Sequence, residues 1–373
     1  MSTGMIEIRK GDKQAFFRAP FEAYGRDTLY VTPMWPDVDR YFDATKNPLF
    51  KAGNPFALFT AHRDGRPVGR ICAHIHGASN ARHGLKRAYF GFFDVADDPE
   101  AARDLLDAAL GFAREHGCDE LAGNFNLTAM QQIGVTTGGF ENTPYTDMMY
   151  SPPHVSRLLE QNGFERFFPG TTWEIDLLTC DADRLLTDKS RAMLAAPDVS
   201  WAPIDRKHFA ERLEDARQAL NDGFDKNPMF VPLTQEEYHF QASEMMWILD
   251  PRLSTCTHIG GSVAGVVLCI PDLNPFIRRV KGKYGLNAPF EFVRHRLTRK
   301  RAVIIYYSVV QAHQGKGLNG AMLYRTLKSL RDAGYESLGI TWIADVNAAS
   351  LKQMERLGAR QLHRQHLFRK AVA

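Results

Sequence analysis

The sequence lacks the features that mark disulfide-rich, membrane-spanning or nucleic-acid-binding proteins. Its five cysteines are odd in number and show no Cys-x-x-Cys spacing, which predicts reduced thiols rather than a disulfide framework or a zinc site. The longest apolar stretch, GSVAGVVLCI, is about half of the roughly 20 residues that a membrane-spanning helix needs. The formal net charge of the 373 residues is only +3, and this balance does not indicate nucleic-acid binding.

The first residues, MSTGMIEIRKG, have no apolar stretch of the kind found in a secretory signal. We therefore expect a protein that is soluble and cytoplasmic. We expect no metal site, no permanently bound cofactor and no nucleic-acid partner. The length predicts either two domains or one large domain.

One order of predicted elements occurs twice along the chain. In each half a β-hairpin is followed by a strand, a helix, a further strand, a second helix and a last strand. In the first half the hairpin, strand and helix are FALFTAHRDGRPVGRICAHIH, RAYFGFFDV and DPEAARDLLDAALGFAREHG. In the second half they are LSTCTHIGGSVAGVVLCI, RAVIIYYSVV and GLNGAMLYRTLKSLRDAG. The agreement favours two copies of one fold, joined near residues 178–200.

A glycine-rich loop in the second half admits three interpretations. Gly315, Gly317 and Gly320 satisfy the dinucleotide-binding pattern G-x-G-x-x-G. A Rossmann unit needs an acidic residue roughly 20 positions further on, whereas Asp345 lies 30 residues beyond Gly315. A P-loop needs Ser or Thr directly after its lysine, and here Gly317 follows Lys316. Both of these interpretations are therefore excluded.

The third interpretation is a resemblance to the GCN5-related N-acyltransferase (GNAT) superfamily. The loop resembles motif A of that family, Q/R-x-x-G-x-G/A, with Gln314, Gly317 and Asn319 at the defined positions. The stretch WIADVNAASLKQMERLGAR resembles motif B, with Asn347 in the loop before the helix. The resemblance covers about residues 200–373. It implies an α+β fold of two tandem GNAT-like domains, each a mixed, mostly antiparallel sheet flanked by helices.

The resemblance also implies where acyl-coenzyme A (acyl-CoA) binds as co-substrate. Backbone N–H groups of the loop and the N-terminus of the next helix are suited to a pyrophosphate. The pantetheine arm is expected beside the preceding strand, where an N–H of Val309 or Val310 polarises the thioester carbonyl. The expected cofactor-binding residues are Val309, Val310, Gln314, Gly315, Lys316, Gly317, Leu318, Asn319, Gly320 and Asn347.

The expected catalytic residues are Asp345, Tyr307 and Val310. Asp345 follows a strand beside the loop and is the first candidate for the general base, with Tyr307 and His313 behind it. A role of Asp345 as a helix cap is an equally open alternative. Met354 occupies the motif B position where many family members have a general-acid tyrosine, so another group protonates the leaving thiolate or it leaves unassisted.

The two halves are expected to differ in function. In the first half the equivalent loop is ADDPEAA, whose Asp97, Asp98 and Glu100 would repel a pyrophosphate and whose Pro99 suits a helix start. We therefore predict a degenerate GNAT-like domain at 1–178. The predicted catalytic domain spans 179–373 and contains a basic insertion at 271–301.

Residues 278–301 of this insertion carry nine Lys and Arg residues against one acid, Glu291. Phe290, Phe292, Val293 and Leu297 lie between these charges, as in an amphipathic helix at an anionic membrane surface. A solvated insertion, or a contact with the 3′-phosphate of coenzyme A, remains open.

The whole chain also resembles tandem GNAT-like bacterial proteins, including bacterial ceramide synthases, at DGRPVGRICA, FGFFDV, PDLN and WIADVN. This resemblance implies an acyl-CoA-dependent N-acyltransferase, with a long-chain, sphingoid-type amine as acceptor and peripheral contact at the inner membrane surface. The aromatic- and Met-rich loop at 138–154 is a candidate lining for such an acceptor. Acetylation of a small-molecule or protein amine, and a non-catalytic coenzyme-binding protein, remain the alternatives.

Overall fold

The described residues, 4–25, 28–242 and 245–372 of a computed structural model, contain thirteen β-strands that form one sheet. The spatial order is β1-β2-β3-β4-β5-β13-β7-β12-β11-β10-β9-β8, and β6 pairs with β13 outside this path. The strands are β1 Ile6–Lys10, β2 Phe56–Arg63, β3 Arg66–Ile75, β4 Arg87–Val95, β5 Glu120–Gly123, β6 Val135–Gly138, β7 Glu165–Asp176, β8 Val199–Pro203, β9 Thr255–Ile259, β10 Ser262–Pro271, β11 Arg301–Val309, β12 Ser337–Ala344 and β13 Arg360–Ala371.

Fourteen α-helices lie within the same described ranges. They are α1 Lys13–Tyr24, α2 Trp35–Tyr41, α3 Pro48–Lys51, α4 Gly77–His83, α5 Pro99–Glu115, α6 Pro153–Gln161, α7 Asp188–Ala195, α8 Phe209–Gly223, α9 Gln235–Ala242, α10 Met245–Ile248, α11 Asn274–Val280, α12 Ala288–Thr298, α13 Leu318–Asp332 and α14 Ala348–Leu357. Two short 3₁₀ helices span Ala182–Leu185 and Gln311–His313.

Local sequence explains the main boundaries. Asp64 and Gly65 have φ values of 51° and 76°, which suit a two-residue hairpin turn between β2 and β3. Asp98 caps α5 by accepting hydrogen bonds from the backbone N–H groups of Glu100 and Ala101, and Pro99 follows it. The acidic loop of the first half is therefore a helix cap.

Helices cover both faces of the sheet in each half. In the first half, Phe90 packs with the side chains of α5 and α6, whereas Phe92 packs with α1. Side chains two positions apart on a strand normally face the same side of the sheet. On β4 the positive φ of 51° at Phe92 interrupts this alternation, so Phe90 and Phe92 face opposite sides. In the second half, α13 and α14 pack with one buried cluster and α8 with another. The core is thus divided between the two faces of one sheet.

The two halves share one pairing pattern. β4 pairs with β5 in parallel over four residue pairs, from Arg87↔Glu120 to Phe90↔Gly123. β11 pairs with β12 in parallel over four residue pairs, from Arg301↔Ser337 to Ile304↔Ile340. The other strand pairs of the sheet are antiparallel. The predicted α+β fold with a mixed, mostly antiparallel sheet is confirmed.

The halves exchange their last strands, which the sequence did not reveal. β7 closes the first half in sequence but pairs with β12, and β13 closes the second half but pairs with β5. The two exchanged strands also pair with each other. Each half thus contributes a strand that pairs with the other half. The division of the chain into two domains at residue 178 therefore stays a prediction.

The loop after β5 differs from the sequence-based expectation. The strand expected at DELAGNFNLT ends at Gly123, because Asn124 and Asn126 turn their side chains toward the backbone of β4. The segment expected to be an irregular loop contains β6, which pairs with β13. The connector near 178–200 contains α7, which lies against α13.

Candidate active site

A cleft opens where β11 and β12 separate. Their parallel pairing stops at Ile304 and Ile340, and an extra residue, Ile305, interrupts the pairing of β11 with β10. The resulting cleft has a volume of about 630 Å³ and is lined by both strands, the glycine loop and α14. Strand separation therefore leaves a gap between two parallel strands beside the glycine loop.

Six of the predicted site residues line this cleft: Tyr307, Val309, Gln314, Gly315, Asn319 and Asn347. Six others are absent from its lining: Val310, Lys316, Gly317, Leu318, Gly320 and Asp345. His313 is absent from it as well. Half of the predicted site residues therefore face this cleft, and the roles assigned to them stay predictions.

The glycine loop leaves the start of α13 without a side-chain cap. Gln314 closes the loop by donating from Nε2 to the carbonyl oxygen of Val309, at 3.0 Å. Gly315 is exposed with φ 72°, and Gly317 occupies the N-cap position of α13 with φ 93°. The first amides of an uncapped helix are suited to an anion. Lys189, whose Nζ donates to the carbonyl oxygen of Gly315 at 3.2 Å, adds positive charge beside the loop.

Two of the loop glycines are also required by packing within the chain. A Cβ atom on Gly317 would lie 2.5 Å from the carbonyl carbon of Lys189, at the start of α7. A Cβ atom on Gly320 would lie 3.0 Å from the carbonyl oxygen of Leu185. This packing was not expected from the sequence, because the segment that leads into α7 lies far from the loop along the chain.

In the first half the corresponding gap is closed. The side-chain Oδ1 atoms of Asn126 and Asn124 accept hydrogen bonds from the N–H groups of Phe92 and Phe93, at 2.7 and 3.2 Å. These amides lie on β4, the counterpart of β11. The cavity at this position has a volume of only about 30 Å³. The asparagine side chains thus occupy the place that is open in the second half.

A second, mostly apolar cavity of about 730 Å³ lies between the halves. Its apolar lining includes Met34, Trp247, Ile248, Phe276, Ala288 and Phe292. Helices α2 and α9 contribute to it from opposite halves, and they contact each other directly. The Arg40 guanidinium donates to the carbonyl oxygen of Phe240 at 2.6 Å and lies 4.6 Å from the centre of its ring.

The cleft and the apolar cavity meet. Five residues line both of them: Met130, Gln131, Asp147, Ile305 and Tyr306. A molecule in the apolar cavity can therefore reach the edge of the cleft at the point where β11 carries its extra residue. Asp147 is the acidic side chain at this meeting point, and no sequence motif had singled it out.

Asp345, the first candidate for a base, is held in an ion pair. Both of its carboxylate oxygens accept from the Arg364 guanidinium, at 2.6 and 2.5 Å, and this hydrogen bonding lowers the pKa of Asp345. The helix cap of α14 is Asn347, whose Oδ1 accepts from the N–H of Ser350 at 3.2 Å. The role of Asp345 as a base stays a prediction, and its ion pair does not favour it.

The backbone geometry distinguishes the two valines. The Val310 N–H donates to the carbonyl oxygen of Ala264 at 3.0 Å and is therefore already engaged. Successive amides of an extended strand point to opposite edges, so the Val309 N–H points toward the separated strand and the cleft. This arrangement favours Val309 over Val310 as a donor to a carbonyl in the cleft.

Two side chains near the loop have defined surroundings. The Tyr307 hydroxyl donates to the carbonyl oxygen of Asn319, and burial raises the pKa of Tyr307. Met354 is buried and lines the cleft from α14. The thioether of Met354 has no proton to give, so α14 provides no acid at the motif B position where the resembled family often has a tyrosine.

Comparison with known proteins gives a family match and relatives over the whole chain. Residues 214–359 match the family model described as the acetyltransferase (GNAT) family. The chain is 25% identical over 380 residues to protein YghO of Escherichia coli (strain K12), with 98% of this chain and 94% of that protein covered. It is 26% identical over 367 residues to the bacterial ceramide synthase of Caulobacter vibrioides (strain NA1000 / CB15N), with 96% and 94% covered.

Two solved structures share the fold over nearly the full length. A tandem GNAT protein from the clavulanic acid biosynthesis pathway matches with a TM-score of 0.58 at 14% identity, covering 99% of both chains. A GCN5-related N-acetyltransferase from Sphaerobacter thermophilus matches with a TM-score of 0.54 at 13% identity, covering 98% of this chain and 96% of that one. At such identities the likeness concerns the fold alone.

Proposed function

We propose that this chain, a protein with the tandem GNAT fold, is an acyl-CoA-dependent N-acyltransferase whose acceptor is a long-chain, lipid-like amine. The observation that carries the proposal is the meeting of the cleft with the large apolar cavity. In the reaction, the acceptor nitrogen forms a bond to the thioester carbonyl carbon and the carbon–sulfur bond breaks. The products are an amide and free coenzyme A.

The donor half of the proposal rests on the second-half cleft. The uncapped amides at the start of α13 and the positive charge of Lys189 suit the pyrophosphate of coenzyme A. The gap between β11 and β12 suits the extended pantetheine arm. In this proposal the Val309 N–H, which points into the gap, polarises the thioester carbonyl.

The acceptor half of the proposal rests on the apolar cavity. Its volume of about 730 Å³ lies within the roughly 300–1,000 Å³ that small-molecule sites occupy. Its lining of aromatic and aliphatic side chains suits an alkyl chain, and the edge shared with the cleft suits the amine. One relative of similar length is named a bacterial ceramide synthase, which agrees with an acceptor of this kind.

An exposed apolar patch lies near this cavity, and we include peripheral contact with an anionic membrane in the proposal. The patch consists of Trp247, Tyr284, Leu286, Phe290, Val293 and Leu297, with exposures from 56% for Val293 to full exposure for Leu286. Trp247 and Tyr284 belong both to this exposed set and to the lining of the cavity. Exposed apolar side chains at such a position are typical of an interaction surface.

The charge of the insertion is smaller than its sequence indicates. Arg299 and Arg301 form ion pairs with the buried carboxylates of Asp250 and Asp272, at 2.7 and 2.9 Å. Arg296 is exposed beside the patch and can face anionic headgroups. Within the described ranges, every helix is too short or too polar to cross a bilayer, so the proposed contact is peripheral.

Turnover with matched substrates tests the proposal. Acetyl-CoA and palmitoyl-CoA are each combined with ethanolamine, a lysine-containing peptide and sphinganine, and thiol release and amide mass are measured. We expect amide formation with sphinganine and little with the two short amines, because only the long chain fills the apolar cavity. Equal turnover of ethanolamine and sphinganine would favour small-amine acetylation. Coenzyme binding without turnover of any amine would favour a non-catalytic protein.

A further inference from the structure

We infer that Asp147 is the general base of the transfer, taking the proton that the acceptor nitrogen loses as the amide forms. The inference rests on the proposed function and adds a residue outside the matched family region to its site. Asp147 belongs to the loop between β6 and α6, in the first half of the chain. It would therefore act on a reaction whose donor binds in the second half.

Asp147 lies where the cleft and the apolar cavity meet. It lines the cleft and the apolar cavity, so its carboxylate lies where an acceptor chain and a thioester would meet. Among the described residues that line the cleft, Asp147 is the only carboxylate, and no histidine accompanies it. The other ionisable side chains in this lining are Lys226, Tyr306 and Tyr307. Of these groups, a carboxylate is the one suited to accept a proton near neutral pH.

Hydrogen bonds of the neighbouring residue hold the loop that carries Asp147 in place. Its neighbour Thr146 donates from both N–H and Oγ1 to one oxygen of Asp272, at 2.9 and 3.0 Å. The same Thr146 hydroxyl oxygen accepts from the N–H of Leu273 at 2.6 Å. Asp147 itself has φ 68°, a conformation that aspartate tolerates better than most residues. The loop of the first half is thus fixed on the end of β10, which holds the carboxylate in place.

The pairing and the pKa of the Asp147 carboxylate also suit a base. Throughout the described ranges, no hydrogen bond or ion pair to the Asp147 carboxylate is found, in contrast to the paired Asp345. Burial raises the pKa of Asp147 from 3.8 to about 7. The pKa values of Tyr41 and Tyr306 are raised mainly by burial and also by the negative charge of Asp147. A carboxylate that is unpaired and titrates near neutral pH is suited to accept and release a proton.

The charged groups around Asp147 do not compensate it. On the apolar cavity, Asp37 forms an ion pair with Arg40 at 3.3 Å. On the cleft, Lys226 is exposed at the outer side of the lining. Tyr306 donates its hydroxyl proton to the carbonyl oxygen of Met130. The protonation of Asp147 is therefore governed by its burial and by the substrate that reaches it.

The proton and electron balance of the step is complete. The nitrogen lone pair forms the C–N bond, and a tetrahedral intermediate with a positively charged nitrogen results. Asp147 takes a proton from this nitrogen as the C–S bond breaks and the thiolate departs. A thiol with a pKa of about 8.5 is a good leaving group, which agrees with a methionine, Met354, at the motif B position on α14. The proton on Asp147 then passes to the thiolate or to water.

The Asp147→Asn variant tests the inference. Asparagine keeps the shape and tolerates the same backbone conformation, but it cannot accept the proton. We expect kcat with palmitoyl-CoA and sphinganine to fall by about 10²–10⁴-fold, with coenzyme A affinity nearly unchanged. In the wild-type enzyme kcat/KM should rise with pH through about 7, and this limb should vanish in the variant. Retention of activity and of this limb would overturn the inference.

Two further variants separate the possible outcomes. Asp147→Glu keeps the base and should recover part of the activity, whereas a purely structural role would leave it as impaired as Asp147→Asn. Asp345→Asn tests the rival: a larger loss there than at Asp147 would overturn the inference in favour of Asp345. If the wild-type chain itself acylates no amine, the proposed function fails. If it acylates amines and Asp147→Asn does so equally, only the inference fails.

Discussion

Replacing Gly315 by aspartate and by asparagine tests whether the glycine loop binds a diphosphate. Gly315 is exposed, has φ 72°, and has no heavy atom within 4 Å of the position that a Cβ would take. Asparagine and aspartate both tolerate this left-handed conformation, so the two variants differ mainly in one negative charge. Gly317 is less suitable, because any side chain there would displace the start of α7 and unsettle the fold.

The size of the charge effect can be worked from Coulomb's law. Two unit charges about 4 Å apart interact by about 1 kcal/mol in bulk water and by about 4 kcal/mol at an effective dielectric constant of 20. The loop is exposed, so we take the lower value, which gives about 2 kcal/mol against the two charges of a diphosphate. This corresponds to an affinity for coenzyme A that is about 30-fold weaker for aspartate than for asparagine.

Titration calorimetry with coenzyme A measures this difference at low and high salt. The asparagine variant should bind within about threefold of wild type, and the gap between the variants should narrow at 1 M salt, where the Debye length is only about 3 Å. Equal affinities of the aspartate and asparagine variants in folded protein would refute the reasoning. The loop would then be a tight turn, and coenzyme A would bind elsewhere.

Three other predictions concern the halves, the surface and the pH. Calorimetry should give one coenzyme A per chain, and two equivalent sites would contradict the closed gap of the first half. Replacing Leu286, Phe290 and Leu297 by serine should weaken binding to phosphatidylglycerol vesicles by about 4.5 kcal/mol or more, because each of the three apolar side chains contributes at least about 1.5 kcal/mol when fully buried. Leu178→Ser, at an exposed leucine outside the patch, is the control, and an equal loss there would argue against a specific surface. The pKa of Asp147 is raised in the folded state, so the free energy of unfolding falls as pH rises from about 4 to about 7. The Asp147→Asn variant should therefore have a higher melting temperature than wild type at pH 8 but not at pH 4. An equal change in melting temperature at the two pH values would contradict the raised pKa.

Local patterns were sufficient to predict the order of elements. Alternating strands around Asp64 and Gly65 predicted the first hairpin, and helical spacing after Gly317 predicted α13. These features depend on neighbours within a few residues. The same local information picked out the glycine loop, part of which lines the cleft, since the strand, loop and helix are consecutive in the chain.

The exchange of β7 and β13 could not be predicted in this way. Both strands have an alternating pattern that fits either half, and periodicity does not specify the partner strand. The proposed base was not predicted for a related reason. Asp345 looked suitable at its strand end, but Arg364 on β13 neutralises it. Asp147 looked like an ordinary loop residue, because its neighbours Tyr41 and Tyr306 come from distant parts of the chain.

In the proposed reaction the first half has a role although its own gap is closed. Its own gap is filled by Asn124 and Asn126, yet its loop carries Asp147 to the cleft of the second half. Its helix α2 forms part of the apolar cavity, opposite α9. The exchanged strands join the two halves in one sheet. Asp147 and α2 are therefore fixed relative to the cleft. In the proposed reaction the second half binds coenzyme A, whereas the first half supplies the proposed base and part of the wall around the acceptor.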